Sequence, residues 1–124
     1  MPKEFSRTRR INEQLRRELN DLLRQRIKDP RASKASVTEV AVARDLSHAK
    51  VFVSSLDLEA GPGPAVEALN AAAGLLRHDL GRALRLRTIP ELHFVSDEAL
   101  ERGARLSALI DRVRADDEDK ARGR

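Results

Sequence analysis

Arginine is the residue type whose spacing in this sequence most clearly predicts a chemistry. Arg10, Arg17 and Arg24 lie seven residues apart, and Lys28 extends the series. Seven residues make nearly two turns of an α-helix, so on a helix these side chains would form one row. Guanidinium groups bind phosphate in a planar, two-pronged way, so the row predicts contact with a polyanion.

A second basic cluster lies in residues 75–88, which hold one aspartate and four arginines: Arg77, Arg82, Arg85 and Arg87. Residues 1–28 contain nine basic and four acidic residues, although the net charge of the whole chain is only +4. This uneven placement indicates a polyanionic partner such as nucleic acid. A solvated surface is the alternative for each cluster taken alone, and the presence of two clusters weakens it.

Aromatic side chains are too scarce for a protein that grips single strands. The chain has three phenylalanines and neither tyrosine nor tryptophan, whereas single-strand binders stack bases on aromatic rings. If the chain binds RNA, we expect it to recognise the backbone and shape of folded RNA.

The residues that could perform catalysis or hold a metal show no recognisable site. Ser54 and Ser55 have no local motif that pairs them with a base, and His48, in a turn, and His93, in a strand, are expected to be structural or exposed. No His or Cys pair stands at ligand spacing, and no phosphate-binding loop is present. The sequence therefore predicts no enzymatic activity, metal, cofactor or small-molecule substrate.

The first predicted element is a helix over residues 7–28, ended by Asp29 and Pro30. Its apolar positions recur every three or four residues and form one stripe: Ile11, Leu15, Leu19, Leu22, Leu23 and Ile27. Two strands follow at 37–42 and 50–56, joined by a polar hairpin turn. On the first strand we expect Thr38, Val40 and Val42 to share one side.

Glycine and proline at 61–64 mark a break before a short helix. Gly74 either kinks this helix, with a second helix running to about Leu86, or is tolerated inside one continuous helix. A third strand is expected at 91–95. Asp97 could then cap a last helix reaching Val113, and residues 115–124 are expected to be a disordered charged tail.

This order predicts an α+β layer, with helices packed on one face of a three-stranded sheet. The other face would be solvated or in contact with a partner. We expect one domain over residues 1–114. No apolar run approaches the ~20 residues of a membrane span, no signal peptide is expected, and the absence of cysteine is compatible with a reducing cytosol.

Short segments spread along the chain resemble the ribosome-binding factor A family. In chain order they are KDPR at 28–31, VTEV at 37–40, DLSHAKVFV at 45–53, ALN at 68–70, AAGLLR at 72–77, LRLR at 84–87, PEL at 90–92, Phe94, and ERG at 101–103. The resemblance covers about residues 7–113. Ala99 departs from it, because relatives often carry serine there, and this puts the cap of the last helix in doubt.

The resemblance implies a type II KH-like fold with the order α-β-β-α-kink-α-β and a C-terminal helical extension. KH domains clamp nucleotides with a Gly-x-x-Gly loop, which this sequence lacks. The family has an Ala-x-Gly kink instead, which maps onto Ala72, Ala73 and Gly74 and favours the kink over the continuous helix.

The resemblance also implies a function. Such proteins bind the free small (30S) ribosomal subunit and its 16S rRNA during late maturation and 5′-end processing, near the decoding region, and leave before translation. It implies a cytoplasmic monomer without a cofactor, with a role in cold adaptation. Two alternatives stay open: a generic KH-like RNA-binding or ribosomal protein, and a module that binds a protein partner through its first helix.

Overall fold

The structure is a computed structural model that describes residues 3–97, with side chains from Arg7 onward. Its elements are α1 (Lys3–Arg26), a 3-10 turn (Pro30–Ala32), β1 (Ala35–Val42), β2 (His48–Ser55), α2 (Gly63–Ala71), α3 (Ala73–Leu84) and β3 (Glu91–Ser96). This order confirms the predicted α-β-β-α-kink-α-β arrangement. The predicted last helix and the tail at 115–124 lie outside the described residues.

α1 packs on the sheet through the predicted apolar stripe. Leu15 and Leu19 have no exposed surface, and the other stripe residues are buried or packed against the core. Full burial of a leucine contributes about 1.5–3 kcal/mol, so this stripe fixes which face of α1 remains outside. The helix ends at Arg26, two residues before the predicted end, because Asp29 already has extended backbone (ψ 124°) ahead of Pro30.

The sheet has the order β1-β2-β3, with β2 in the centre. β1 pairs antiparallel with β2, which confirms the predicted hairpin, and β3 returns parallel to β2 after the two helices. The inner face carries the side chains that meet the helices: Val37, Val40, Ala49, Val51, Val53, Leu92 and Phe94. Leu69 of α2 and Leu76 and Leu80 of α3 complete the same core.

A β-bulge at Thr38 changes which residues of β1 face the core. The pairing passes from Val37 opposite Val53 directly to Glu39 opposite Phe52, so Thr38 is the extra residue. Val37 and Val40 are therefore both buried, although they lie three positions apart. Val40 is buried and Val42 packs against the same core, as predicted, whereas Thr38 is half-buried and its hydroxyl donates to the Phe52 carbonyl at 3.3 Å.

The break between α2 and α3 lies at Ala72, which ends one helix and begins the next with φ −95° and ψ 5°. Its N–H donates to both Ala68 O at 3.2 Å and Leu69 O at 3.1 Å. Gly74 is the second residue of α3, and a Cβ built on it would meet no atom within 4 Å. The break therefore lies at the first of the three kink residues that the resemblance implied, two residues before the glycine that the residue pattern alone indicated. Gly74 makes no close backbone contact there.

The outer face of the sheet has no described helix against it. Its exposed or half-buried side chains come mainly from alternate positions of β2 and β3: His48, Lys50, Phe52, Ser54, Glu91, His93 and Val95. None of the helices within residues 3–97 combines the length and apolarity needed to cross a membrane.

Candidate nucleic-acid interface

The row predicted from the sequence lies on the side of α1 that faces away from the core. Arg10, Arg17 and Arg24 are exposed and lie nearly opposite the buried leucines around the helix axis. Lys28 is also exposed and follows the end of α1 at Arg26. Arg10 and Arg24 are separated by about 21 Å along the helix, at 1.5 Å per residue. The row is therefore a long, narrow, basic strip on an open helix face.

Two members of the row form ion pairs with acidic neighbours on the same helix. Arg17 Nε lies 3.4 Å from Glu13 Oε1, and Arg24 Nη2 lies 2.7 Å from Asp21 Oδ1. The two arginine side chains nevertheless keep 75% and 74% of their surface exposed. Exposed helical pairs of this kind contribute only about 0.3–0.5 kcal/mol, so a phosphate can replace the carboxylate at small cost.

Arg16 is the main partner of Glu13. The pKa of Glu13 lies below its ordinary value, first because the Arg16 side chain donates hydrogen bonds to it, and also through attraction to the Arg16 and Arg17 charges. Glu13 is thus held mainly by Arg16, and Arg17 is its weaker partner. This leaves the Arg17 guanidinium available to an external anion.

The structure divides the second arginine cluster between two places. Arg77 and Arg82 line an open groove of about 510 Å³ beside α3, together with Gly74, His78, Gly81 and Ile89. Arg87 instead lines an apolar groove of about 360 Å³ with Ile11, Leu15, Val42, Leu46, Leu86, Thr88 and Pro90. The four arginines are therefore not one patch, although all are exposed.

Two residues of this cluster also form hydrogen bonds that stabilise the fold. Arg77 donates from Nε at 3.2 Å and from Nη2 at 2.9 Å to the carbonyl of Ile89, which fixes the connection between α3 and β3. Arg85 ends α3 in the left-handed region (φ 51°), with its N–H donating to Gly81 O at 3.1 Å. Arg82 has no such bond within residues 3–97, so its charge faces solvent.

The α1 row and the α3 groove are separated on the surface. Asp79 faces α1, where its carboxylate accepts from Arg26 Nε at 2.8 Å. The Arg77 side chain is rotated by about 200° around the α3 axis from that of Asp79, so it lies on nearly the opposite side of the helix. Within the described part of the chain, no hydrogen bond or ion pair joins the two arginine groups. A ligand that contacted both arginine groups would therefore have to reach across the surface where α1 packs against α3.

The N-terminus of α3 adds a weaker positive feature. Its N-cap, Ala72, provides no side-chain hydrogen bond to the first turn, and unpaired N–H groups at a helix start carry partial positive charge. Ala73 and Gly74 bring no bulky side chain to this turn. Of the three predicted kink residues, Gly74 lines the groove with Arg77 and Arg82, whereas Ala72 and Ala73 pack against the core.

Sequence analysis missed several contacts that link distant parts of the chain. Arg26 and Asp79 are 53 residues apart, and His48 and His93 are 45 apart, with ring nitrogens 3.0 Å from each other. No local spacing could have indicated either pair. Among the side chains that the structure describes, no hydrogen bond joins a serine to a histidine.

The sequence matches the family model described as ribosome-binding factor A over residues 7–110. It is 50% identical over 117 residues to the ribosome-binding factor A of Thioalkalivibrio sulfidiphilus, covering 94% of this chain and 91% of that protein. It is 47% identical over 119 residues to that of Pseudomonas fluorescens, covering 94% and 91%.

Solved structures give the same result for the fold. The crystal structure of ribosome-binding factor A from Thermus thermophilus matches with a TM-score of 0.66 and 30% identity, over 74% of this chain and 97% of that one. A homology model of the Thermus thermophilus factor, fitted into a cryo-EM map of its complex with 30S, matches with a TM-score of 0.59 and 32% identity, over 70% and 91%. These structures are KH-like, which confirms the predicted fold class.

Proposed function

The chain belongs to the ribosome-binding factor A family, and from this membership we propose that it binds the free small ribosomal subunit and assists its late maturation, including processing of the 16S rRNA 5′ end. The Thermus thermophilus relative fitted into a map of a 30S complex supports the choice of partner. Binding of rRNA by the basic surfaces would bias its conformation and exclude other ligands while folding finishes.

The observation that carries this proposal is the exposed row Arg10, Arg17 and Arg24 on α1, with the exposed Lys28 just beyond the end of the helix. A straight line of cations on an open helix face matches the linear array of phosphates along an RNA strand. Binding of this kind depends on salt, because each neutralised phosphate releases a condensed counterion. Mutation of the row should therefore change both the affinity and its salt dependence.

The groove beside α3 is the proposed second contact. Arg82 and Arg77 supply its positive charge, and the break at Ala72 presents the uncapped start of α3 beside them. In a KH domain the Gly-x-x-Gly loop brings backbone to the nucleic acid. Here the small residues Ala72, Ala73 and Gly74 would give RNA similar access to the helix start.

Base stacking has a small part in this mechanism. Phe94 keeps only 2% of its surface exposed, and Phe52 is half-buried on the outer face of the sheet. Recognition would therefore rely on backbone charge and on the shape of folded RNA. We further propose that the protein acts in the cytoplasm as a monomer, without catalysis or a cofactor, and that it supports growth in the cold.

Charge reversal on α1 tests the proposal. The variant R17E/R24E should bind small subunits more weakly in sucrose-gradient cosedimentation, and the slope of log affinity against log salt should fall by about 1.8, taking about 0.9 per phosphate contact as on duplex DNA. Its melting temperature should change little, because both side chains are exposed and their ion pairs are weak.

The control is K34E/R44E, which makes the same change in net charge at two exposed positions outside both basic clusters. Equal loss of binding in both variants would show that only net charge matters, and full binding by R17E/R24E at 200 mM salt would remove the α1 row from the mechanism. The alternative of a ribosomal protein predicts that the chain persists on translating ribosomes; a maturation factor should sediment mainly with free small subunits.

A further inference from the structure

Three side chains with metal-binding atoms meet at one end of the outer sheet face. His48 begins β2 and Glu91 begins β3, and the parallel register places the two residues side by side. His93 lies two positions after Glu91, so its side chain leaves the same face of the sheet. Backbone pairing alone therefore brings two imidazoles and one carboxylate together.

The distances match shared coordination of one ion. His48 Nδ1 lies 3.0 Å from His93 Nε2 and 3.6 Å from Glu91 Oε2, and one potential ligand atom from each residue lies within 4.8 Å of the others. Zinc binds histidine nitrogen at about 2.0–2.1 Å, so two nitrogens on a tetrahedral ion are about 3.4 Å apart. The observed distances lie on either side of that value.

We propose that His48 Nδ1, His93 Nε2 and a Glu91 carboxylate oxygen bind one zinc ion. Two imidazoles and a carboxylate are a ligand set that suits zinc, and the fourth tetrahedral position would hold water because all three residues are exposed. The ion would link the first residues of β2 to β3, two strands that are joined through 35 intervening residues of turn and helix.

Some nearby charges favour a bound cation at this site and others oppose it. Lys50 pairs with His93 across the two strands, and its ammonium disfavours a cation. Glu91 supplies one negative charge, and the Asp45 carboxylate lies close enough to His48 to interact with it electrostatically. Both carboxylates favour the ion and Lys50 opposes it, and salt screens all three charges at this exposed site.

Zinc titration of the full chain, with any affinity tag removed, tests the site. Calorimetry should show one equivalent bound, and zinc should raise the melting temperature. Loss of a single outer-shell partner typically weakens a metal site by about 10–100-fold, so H48Q/H93Q should lose at least about 100-fold in affinity. Glu91→Gln should weaken binding less than the double substitution.

His78→Gln is the matched control, because His78 is exposed on α3 outside the cluster; it should bind zinc as the wild type does. Without zinc, all variants should melt at the wild-type temperature, since the substituted side chains are exposed. NMR of the imidazole nitrogens should show zinc shifting His48 Nδ1 and His93 Nε2 but not His78.

Two results would overturn the proposal. One is a wild-type chain that binds zinc no better than H48Q/H93Q, as expected if the two imidazoles only share a hydrogen bond. The other is stoichiometric binding that disappears in the His78 variant. Neither result bears on the binding of small subunits, which rests on α1 and α3.

Discussion

The side-chain amide of Asn20 forms two hydrogen bonds with the backbone of Val37, as a neighbouring strand would. It donates to the Val37 carbonyl at 3.0 Å and accepts from the Val37 N–H at 2.8 Å. Asn70 does the same with Phe94 at the opposite edge of the sheet, at 2.9 and 2.8 Å. Helix side chains therefore occupy backbone N–H and carbonyl groups of both edge strands at these points. This leaves fewer unpaired backbone groups with which another strand could pair.

Asn20→Ala should lower the free energy of unfolding by about 1–3 kcal/mol, because it leaves the N–H and carbonyl of a buried residue without partners. Gln25→Ala removes an amide from an exposed position of the same helix, and should change stability by less than about 0.5 kcal/mol. Urea denaturation followed by circular dichroism measures both. Equal effects would show that the bonds to Val37 add nothing.

The helices and strands could be predicted because their apolar periods are strong. The stripe of α1 and the alternation of β2 each indicate one element type and one buried face. The bulge at Thr38 could not be predicted in this way, because it is a property of the pairing between β1 and β2 and not of either strand alone. The residue pattern alone placed the helix break at Gly74, whereas the break lies at Ala72, within the kink segment that the resemblance implied.

Gly74→Ala should raise the free energy of unfolding by up to about 1 kcal/mol, because alanine favours helix over glycine by that amount. The added Cβ would meet no atom within 4 Å. Gly81→Ala is the control: its Cβ would lie 3.0 Å from Ile89 Cγ1, so crowding should offset the gain. Thermal melting measures both effects.

The Gly74 variants also test whether the helix start touches RNA. Gly74→Val should weaken binding to small subunits more than it changes stability, because it places a branched side chain on the proposed contact. Cosedimentation with small subunits gives the affinity. Wild-type affinity in both Gly74 variants would exclude this position from the interface.

The candidate site could be predicted in part. Helical spacing was sufficient to place Arg10, Arg17 and Arg24 on one face, because α1 is regular from end to end. Spacing could not separate Arg77 from Arg82, since the bond from Arg77 to Ile89 depends on how the chain returns after α3. Nor could it pair His48 with His93, because only the parallel register of β2 and β3 brings them together.

Arg77 and Arg82 should therefore respond differently to substitution. Arg77→Ala should lower the free energy of unfolding by about 0.5–1.5 kcal/mol through loss of its bonds to the Ile89 carbonyl, whereas Arg82→Ala should change it by less than about 0.5 kcal/mol. Both should weaken binding to small subunits. If Arg82→Ala binds normally while its fold is intact, the α3 groove is not an RNA contact.

Asp29 gives a prediction for pH. Its carboxylate caps the 3-10 turn by accepting from Arg31 N at 2.9 Å, and the Arg31 side chain donates to it as well. The pKa of Asp29 therefore lies below its ordinary value of 3.8, mainly because of the Arg31 side-chain hydrogen bonds. A carboxyl with a lowered pKa in the folded state stabilises the fold above the unfolded-state value, and this contribution is lost as the pH falls through the folded-state pKa.

Asp29→Asn should remove that contribution while an amide oxygen still caps the turn. We expect the variant to be less stable than the wild type at pH 7, and the difference to shrink as the pH is lowered below 3.8, the ordinary value for aspartate. Urea unfolding midpoints of both proteins, measured at a series of pH values from 7 downward, test this. The control for loss of one carboxylate is Glu59→Gln, at an exposed loop position. A difference that stays constant with pH would mean that Asp29 acts through its shape and not through its charge.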